Sequence, residues 1–244
     1  MSATKPPETE PWVKYVKEAE KSGRLDNKAF WREVGTEYIK RYPEEAYRDM
    51  NTQIHGLLRD NKMIDRRKVE TVLDVGCGFG RMTNIIITSR LFPNVKRIVA
   101  VDISEGMLKE ARRTIFTKAQ NKIVRLVCAD FEEYDFDTFL NRVGLPAFYD
   151  LVISSEVMTS IPKVEEDRVR QFIAKMCWLS KKYVVNVDWY WDKERGERKP
   201  QAPVFVINNY HWYNDHYAAN EYVTKFDRWK FKGYGEYLFI ASLR

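Results

Sequence analysis

The sequence predicts an α/β protein built on a doubly wound, mostly parallel sheet, and three observations predict it. Residues 71–75, Thr-Val-Leu-Asp-Val, lead straight into Gly76-Cys77-Gly78-Phe79-Gly80 and then into a helix-compatible stretch. A strand entering a glycine-rich turn at a helix N-terminus lets backbone approach a ligand that side chains would block. A second apolar run, Val99-Ala100-Val101, is closed by Asp102 one βα unit later. Beyond it, apolar runs and amphipathic stretches keep alternating, the pattern of repeated βα units.

Taken in order, residues 1–11 carry Lys, Pro, Glu and Thr and are expected to be disordered. Residues 12–42 set aromatic side chains among charges, with Trp31, Val34 and Tyr38 at helical spacing. Past Pro43, the stripe Tyr47, Met50, Ile54, Leu57 and Leu58 predicts a helix over 44–60. The chain therefore divides into a tail and helical segment, 1–43, and a main domain, 44–244. Strands are expected near 71–75, 97–102, 123–128, 150–154 and 182–187, and helices near 81–91, 104–119 and 164–179. Ser104 is the N-cap of the second of these helices, whose buried face carries Met107, Leu108, Ala111 and Ile115. A charged stretch from Asp192 to Pro200 and an aromatic block from Val204 to Tyr222 follow. The last element is a hairpin, Val223–Phe231 and Glu236–Leu243 around Lys232-Gly233-Tyr234-Gly235.

The chain has 244 residues, 44% of them hydrophobic, enough for one well-cored domain. Its apolar runs fall short of a membrane span, and residues 1–11 do not read as a signal peptide, so no membrane partner is expected. Cys77, Cys128 and Cys177 are dispersed in or beside apolar runs, which reads as reduced core thiols in a cytoplasmic protein. The net charge of +6 permits an anionic partner without requiring one, because Lys and Arg are interspersed among 35 acids.

The glycine spacing narrows the ligand. A dinucleotide fingerprint needs Gly-x-Gly-x-x-Gly, but that frame meets Arg81 when counted from Gly76 and Thr83 when counted from Gly78. A phosphate-binding P-loop would need Gly-Lys-Ser/Thr, which is absent. Asp74 would repel a pyrophosphate yet suits a ligand bearing an ammonium group, so the loop reads as a nucleoside site for a zwitterion.

The segment resembles motif I of the class I S-adenosylmethionine-dependent methyltransferases, acid-x-Gly-x-Gly-x-Gly, with Asp74, Gly76, Gly78 and Gly80 in place. Three further motifs of that family fit in order. They are Asp102 after the second strand, Cys128-Ala129-Asp130-Phe131 after the third, and the fourth-strand run from Asp150 to Met158. The resemblance implies a Rossmann-like, seven-stranded sheet whose C-terminal antiparallel strand inserts beside the fifth, with an N-terminal helical lid over the cofactor. It implies S-adenosyl-L-methionine as cofactor, held by Asp74, Gly76, Cys77, Gly78, Gly80, Asp102, Ile103, Met107, Asp130, Phe131 and Ser154. In that set Asp74 meets the ammonium group, Asp102 both ribose hydroxyls, and Asp130 with the Phe131 N–H the adenine. Cys77 reads as a small filler, since no neighbouring His or Lys would lower its pKa.

The turn after the fourth strand, Ser154-Ser155-Glu156-Val157, limits the acceptor. It has neither the Pro-Pro-aromatic motif of amino-directed nucleic-acid enzymes nor the Pro-Cys of cytosine-C5 enzymes. Serines there also argue against a divalent metal, so none is expected. Aromatic residues past the fifth strand, Trp189 to Trp191 and Tyr210 to Tyr217, could wall an acceptor pocket. His211 is the candidate base, with His216 as its alternative, while His55 reads as structural. A small-molecule acceptor is preferred because the core carries no added nucleic-acid module. A protein or RNA acceptor is the alternative, and a non-catalytic nucleoside-binding module is a further one.

Overall fold

A computed structural model describes residues 27–41, 48–115, 122–133, 135–158, 166–191, 208–209, 215–231 and 236–244, together with Tyr15, Lys17 and Lys21. Helix α1 spans Asn27–Arg41 and α2 spans Arg48–Asp60; a 3-10 turn at Arg66–Lys68 leads into strand β1, Thr71–Val75. Then follow α3 (Arg81–Thr88), β2 (Arg97–Asp102), α4 (Glu105–Ile115), β3 (Val124–Cys128), α5 (Phe136–Arg142), β4 (Tyr149–Ser155) and α6 (Glu166–Leu179). The chain closes with β5 (Ser180–Trp191), β6 (Asn208–Asn209), β7 (Val223–Lys230) and β8 (Glu236–Leu243).

The sheet runs β3-β2-β1-β4-β5-β8-β7, with the two-residue β6 paired to β5 off that path. The first five strands are parallel; β8 lies antiparallel between β5 and β7, so the terminal hairpin inserts beside the fifth strand as expected. Leu73, Val75, Val99, Val101, Val152 and Val184 face a core closed by α6 through Val169, Phe172, Ile173 and Met176. Val72, Ile98, Leu151, Ile153 and Val185 face the other core, closed by Met50, Ile54 and Leu58 of α2 and Met82 and Ile86 of α3. Both faces are covered, which is why these strands are almost uninterrupted apolar runs.

The departures from expectation have local causes. Helix α3 stops at Thr88 rather than residue 91, because Leu91 and Phe92 turn into the core beneath α2. Helix α5 was not expected in that acidic stretch, although Phe136 and Leu140, four residues apart, are both buried. Strand β5 extends beyond residues 182–187, because β8 pairs with it from Tyr183 to Trp189. Cys77 and Cys177 are buried core thiols, but Cys128 is exposed, because β3 is an edge strand with alternating burial. The expected disorder of 1–11, the end of the helix expected over 104–119, the turn at 232–235 and residues 204–207 and 210–214 of the aromatic block lie outside the described residues.

Helix α1 is seated by two glycines. A Cβ on Gly35 would stand 2.6 Å from Ser104 Oγ and 2.9 Å from Met107 Cγ; one on Gly106 would stand 3.0 Å from Thr36 Oγ1. Phe30 and Val34 are fully buried, so the helix rests on the N-terminus of α4, beside the end of β2. It thereby roofs the carboxyl end of the sheet, where parallel α/β sheets hold ligands.

Candidate functional site

The turn after β1 is shaped by close approach. Gly76 (φ +63°) has no room for a side chain, since a Cβ there would meet Val157 Cγ2 at 2.3 Å. Gly78 also takes a positive φ, +55°, which L side chains rarely adopt. The Cys77 N–H donates to the Val101 carbonyl at 3.0 Å and the Gly78 N–H to Asp102 Oδ2 at 2.8 Å, tying the loop to the end of β2. Asp102 Oδ1 accepts from the Ser104 N–H at 2.8 Å, and Ser104 Oγ accepts from the Met107 N–H at 3.3 Å, capping α4 as expected.

Asp74 is 1% exposed, and the Thr83 hydroxyl donates to its Oδ2 at 2.6 Å. Its Oδ1 has no hydrogen-bond partner among the described residues. Burial pushes the carboxyl up to about 7 against the opposing Thr83 bonds. Burial likewise raises Asp102, against the amides of Ser104, Gly78 and Ile103 that favour its charged form. Burial, with Asp102 and Asp74 adding to it, pushes the Cys77 thiol well up, as a filler rather than a nucleophile requires.

A cavity opens over the ends of β1, β2 and β4. Asp74, Gly76, Cys77, Gly78, Asp102, Ile103, Met107, Asp130 and Phe131 line it, and α1 contributes Lys28 and Trp31. Two residues expected at the ligand are not part of this lining. Gly80 caps α3 instead, and Ser154 is fully buried, its hydroxyl donating to Asn186 Oδ1 at 2.8 Å. Strand alternation turns Ser154 inward and gives its place in the lining to Ser155. Asp130 is not open: its Oδ2 pairs with Lys28 Nζ at 2.6 Å, and its Oδ1 accepts from the Glu132 N–H at 3.0 Å. Glu132 is in turn gripped by Arg168, Nε to Oε1 at 2.5 Å and Nη2 to Oε2 at 2.6 Å. Asp150, at the start of the fourth-strand motif, sits at the opposite end of the sheet, where its Oδ2 accepts from the Glu70 and Thr71 amides.

Arg81 and Glu156 were not among the expected site residues. The Arg81 side chain is 7% exposed; Nη2 donates to Ser155 Oγ at 2.5 Å, Nη1 to Asn51 Oδ1 at 3.2 Å, and Glu156 Oε2 lies 3.4 Å away. Glu156 holds a left-handed backbone, φ +58°, with its N–H donating to the Val187 carbonyl at 2.7 Å. The one available signal for Arg81 was a cation directly after the third glycine. His211 lies outside the described residues; His216 stands half-buried beside Tyr217 in the turn at 215–218. His55 lines a separate groove between α2 and α3 with Thr52 and Thr88, away from the cavity.

A parallel β3-β2-β1-β4-β5 sheet completed by an antiparallel hairpin, with a glycine turn clamped to an acid on the neighbouring strand, is the arrangement of the class I S-adenosylmethionine-dependent methyltransferases. Residues 72–182 match the family described as a methyltransferase domain. The chain is 32% identical over 111 residues to malonyl-[acyl-carrier protein] O-methyltransferase of Acetivibrio thermocellus, a match covering 46% of this chain and 34% of that protein. The matched segment thus spans about a third of that relative's length. Magnesium protoporphyrin IX methyltransferase from Synechocystis PCC 6803, solved with bound S-adenosylmethionine, has the same fold with a TM-score of 0.62 at 15% identity, over 91% of this chain and 99% of that one. An O-methyltransferase family protein from Burkholderia thailandensis gives 0.64 at 13% identity, over 96% and 71%. No helix among the described residues is long and apolar enough to cross a membrane.

Proposed function

We propose that the protein transfers the methyl group of S-adenosylmethionine to a small-molecule acceptor. The observation that carries this reading is Asp74: a buried carboxylate with one oxygen unpartnered among the described residues, facing a cavity, is matched to an ammonium group. The remaining groups fit the same ligand. Gly76 and Gly78 leave backbone exposed to it, Arg81 supplies a cation for a carboxylate, and Asp102 retains lone pairs for ribose hydroxyls beside those its two amides use. Phe131 and Met107 offer apolar walls to a base. Bound there, the cofactor supplies an already activated methyl, so the protein's task is to align the acceptor and exclude water.

Residues 1–43 are assigned as tail and lid, with α1 closing the cavity through Trp31 and Lys28. His211 is assigned to proton removal from the acceptor, on its place in the sequence after β5. The small-molecule class is supported by the relatives, whose names specify magnesium protoporphyrin IX and a carrier-bound malonyl group. Three free thiols support a reducing, cytoplasmic setting. The direct test is incubation of cell extract with the protein and isotopically labelled S-adenosylmethionine, followed by mass spectrometry. A labelled small product supports the proposal. Label confined to protein or RNA assigns the acceptor to those classes, and no label in any fraction under conditions where S-adenosylhomocysteine binds leaves a nucleoside-binding module.

A further inference from the structure

We propose that the pole of the sheet opposite the cavity binds single-stranded nucleic acid. The 3-10 turn at Arg66–Lys68 lies across the amino ends of the parallel strands: the Asn94 side chain donates to the Arg67 carbonyl at 2.7 Å, and Lys182 Nζ to the Lys68 carbonyl at 2.6 Å. Arg67, Lys68, Lys96, Arg97, Lys181 and Lys182 all belong to this end of the sheet, at or between the entrances of β2 and β5. Three of them have acids: Lys68 with Asp65 at 3.6 Å, Lys96 with Glu70 at 2.8 Å and Lys182 with Asp150 at 2.8 Å. Arg67, Arg97 and Lys181 are exposed and have no carboxylate within ion-pair distance among the described residues. The face therefore carries surplus positive charge over three strand spacings, about 14 Å.

A second, independent feature adjoins it. Phe148, just before β4, and Trp178, two residues before β5, are 41% and 40% exposed, with ring centroids 5.4 Å apart. Tyr149 pairs with Ser180, so these rings stand at the same strand entrances as Lys181 and Lys182. Core packing does not need this pair in water, since α6 already buries Phe172, Ile173 and Met176 against the sheet. Unneutralised cations beside exposed aromatic rings are the combination that tracks a polyanionic backbone while stacking its bases. An acidic protein would also bury such rings, and the poly-glutamate arm of the test separates attraction to charge alone from base stacking. A double helix keeps its bases stacked inside, away from them.

The test uses the full chain and fluorescence anisotropy with a labelled 12-nucleotide single-stranded RNA, at 50 and 200 mM KCl. Binding is expected to weaken at least about 10-fold between the two salts, through counterion release. Arg97→Glu with Lys181→Glu should weaken it at least about 10-fold, and Trp178→Ala at least about 5-fold. Neither variant should alter the thermal shift given by S-adenosylhomocysteine, which shows that each is folded and separates this surface from the cavity. Binding of a poly-glutamate peptide, a duplex of equal length or phosphatidylserine vesicles as tight as that of the single strand would overturn the proposal. So would an unchanged affinity in Trp178→Ala.

Discussion

The Gly78 amide and the Asp102 carboxylate are joined by a 2.8 Å hydrogen bond that holds the glycine turn to the end of the neighbouring strand. With its other oxygen on the Ser104 amide, Asp102 is the hinge pin of the cavity as well as the expected ribose acceptor. Asp102→Ala should therefore do two things. It should weaken S-adenosylhomocysteine binding by about 1.5–3 kcal/mol per lost charged hydrogen bond. It should also lower stability by about 1–3 kcal/mol, because two amides lose their acceptor. Asp102→Asn keeps one acceptor oxygen and should recover part of the stability but less of the affinity. Calorimetry and urea unfolding read the two separately. Full affinity in the alanine variant would place the ribose elsewhere.

Asp74 makes binding depend on pH. Its folded pKa, about 7, is raised by burial from the ordinary aspartate value of 3.8. The folded state thus binds the proton more tightly, and the resulting stability is present at low pH and lost as pH rises toward and through 7. A ligand ammonium needs the ionised form, so affinity for S-adenosylhomocysteine should rise from pH 6 to pH 8. Asp74→Asn should flatten that dependence and bind more weakly at pH 8. Without ligand, the same variant should gain stability relative to the unsubstituted protein over this range. A pH slope retained in the asparagine variant would move the titrating group to another residue.

How legible this site was in the sequence follows from what each residue does. Asp74, Asp102 and the glycine turn were readable because a strand end, an acid and backbone access leave a local signature. The face of Ser154 and Ser155 was not, since a one-residue change along a strand reverses orientation, and β4 runs through Ser155. The pairing of Lys28 with Asp130 bridges elements a hundred residues apart, and no local pattern encodes it. The role of Arg81 is hidden for a similar reason: its partners Asn51, Ser155 and Glu156 come from α2 and the end of β4. The mostly parallel sheet and the inserted hairpin, by contrast, followed from the βα rhythm and the resemblance together.

Gly76 should tolerate no side chain. Gly76→Ala would set a Cβ 2.3 Å from Val157 Cγ2 and hold a non-glycine residue at φ +63°. Strain and overpacking together should cost about 2–4 kcal/mol. Gly78→Ala, with open space around its Cβ, bears the backbone strain alone and should cost about 1–2 kcal/mol. Chemical denaturation of the two variants checks the order. Equal losses would mean that the Val157 contact relaxes freely.

The lid assignment makes the last prediction. Helix α1 is docked by the Gly35 and Gly106 contacts, and it reaches the cavity through Trp31 and through Lys28 on Asp130. If it excludes water from the transfer site, residues 27–41 should become more protected from hydrogen exchange when S-adenosylhomocysteine binds, with little change in β7 and β8. Lys28→Met removes the ion pair while keeping the length of the side chain. It should lower protection of the helix in the free protein and leave Asp130 open to the ligand, so that the added protection on binding becomes larger. Gly35→Leu attacks the seat instead: its side chain would collide with Ser104 and Met107, displace the helix and abolish ligand-dependent protection, while urea unfolding of the α/β core changes little. Exchange over 27–41 that is indifferent to ligand in both the unsubstituted protein and Lys28→Met would make α1 a fixed wall of the cavity, with access to the acceptor from another side.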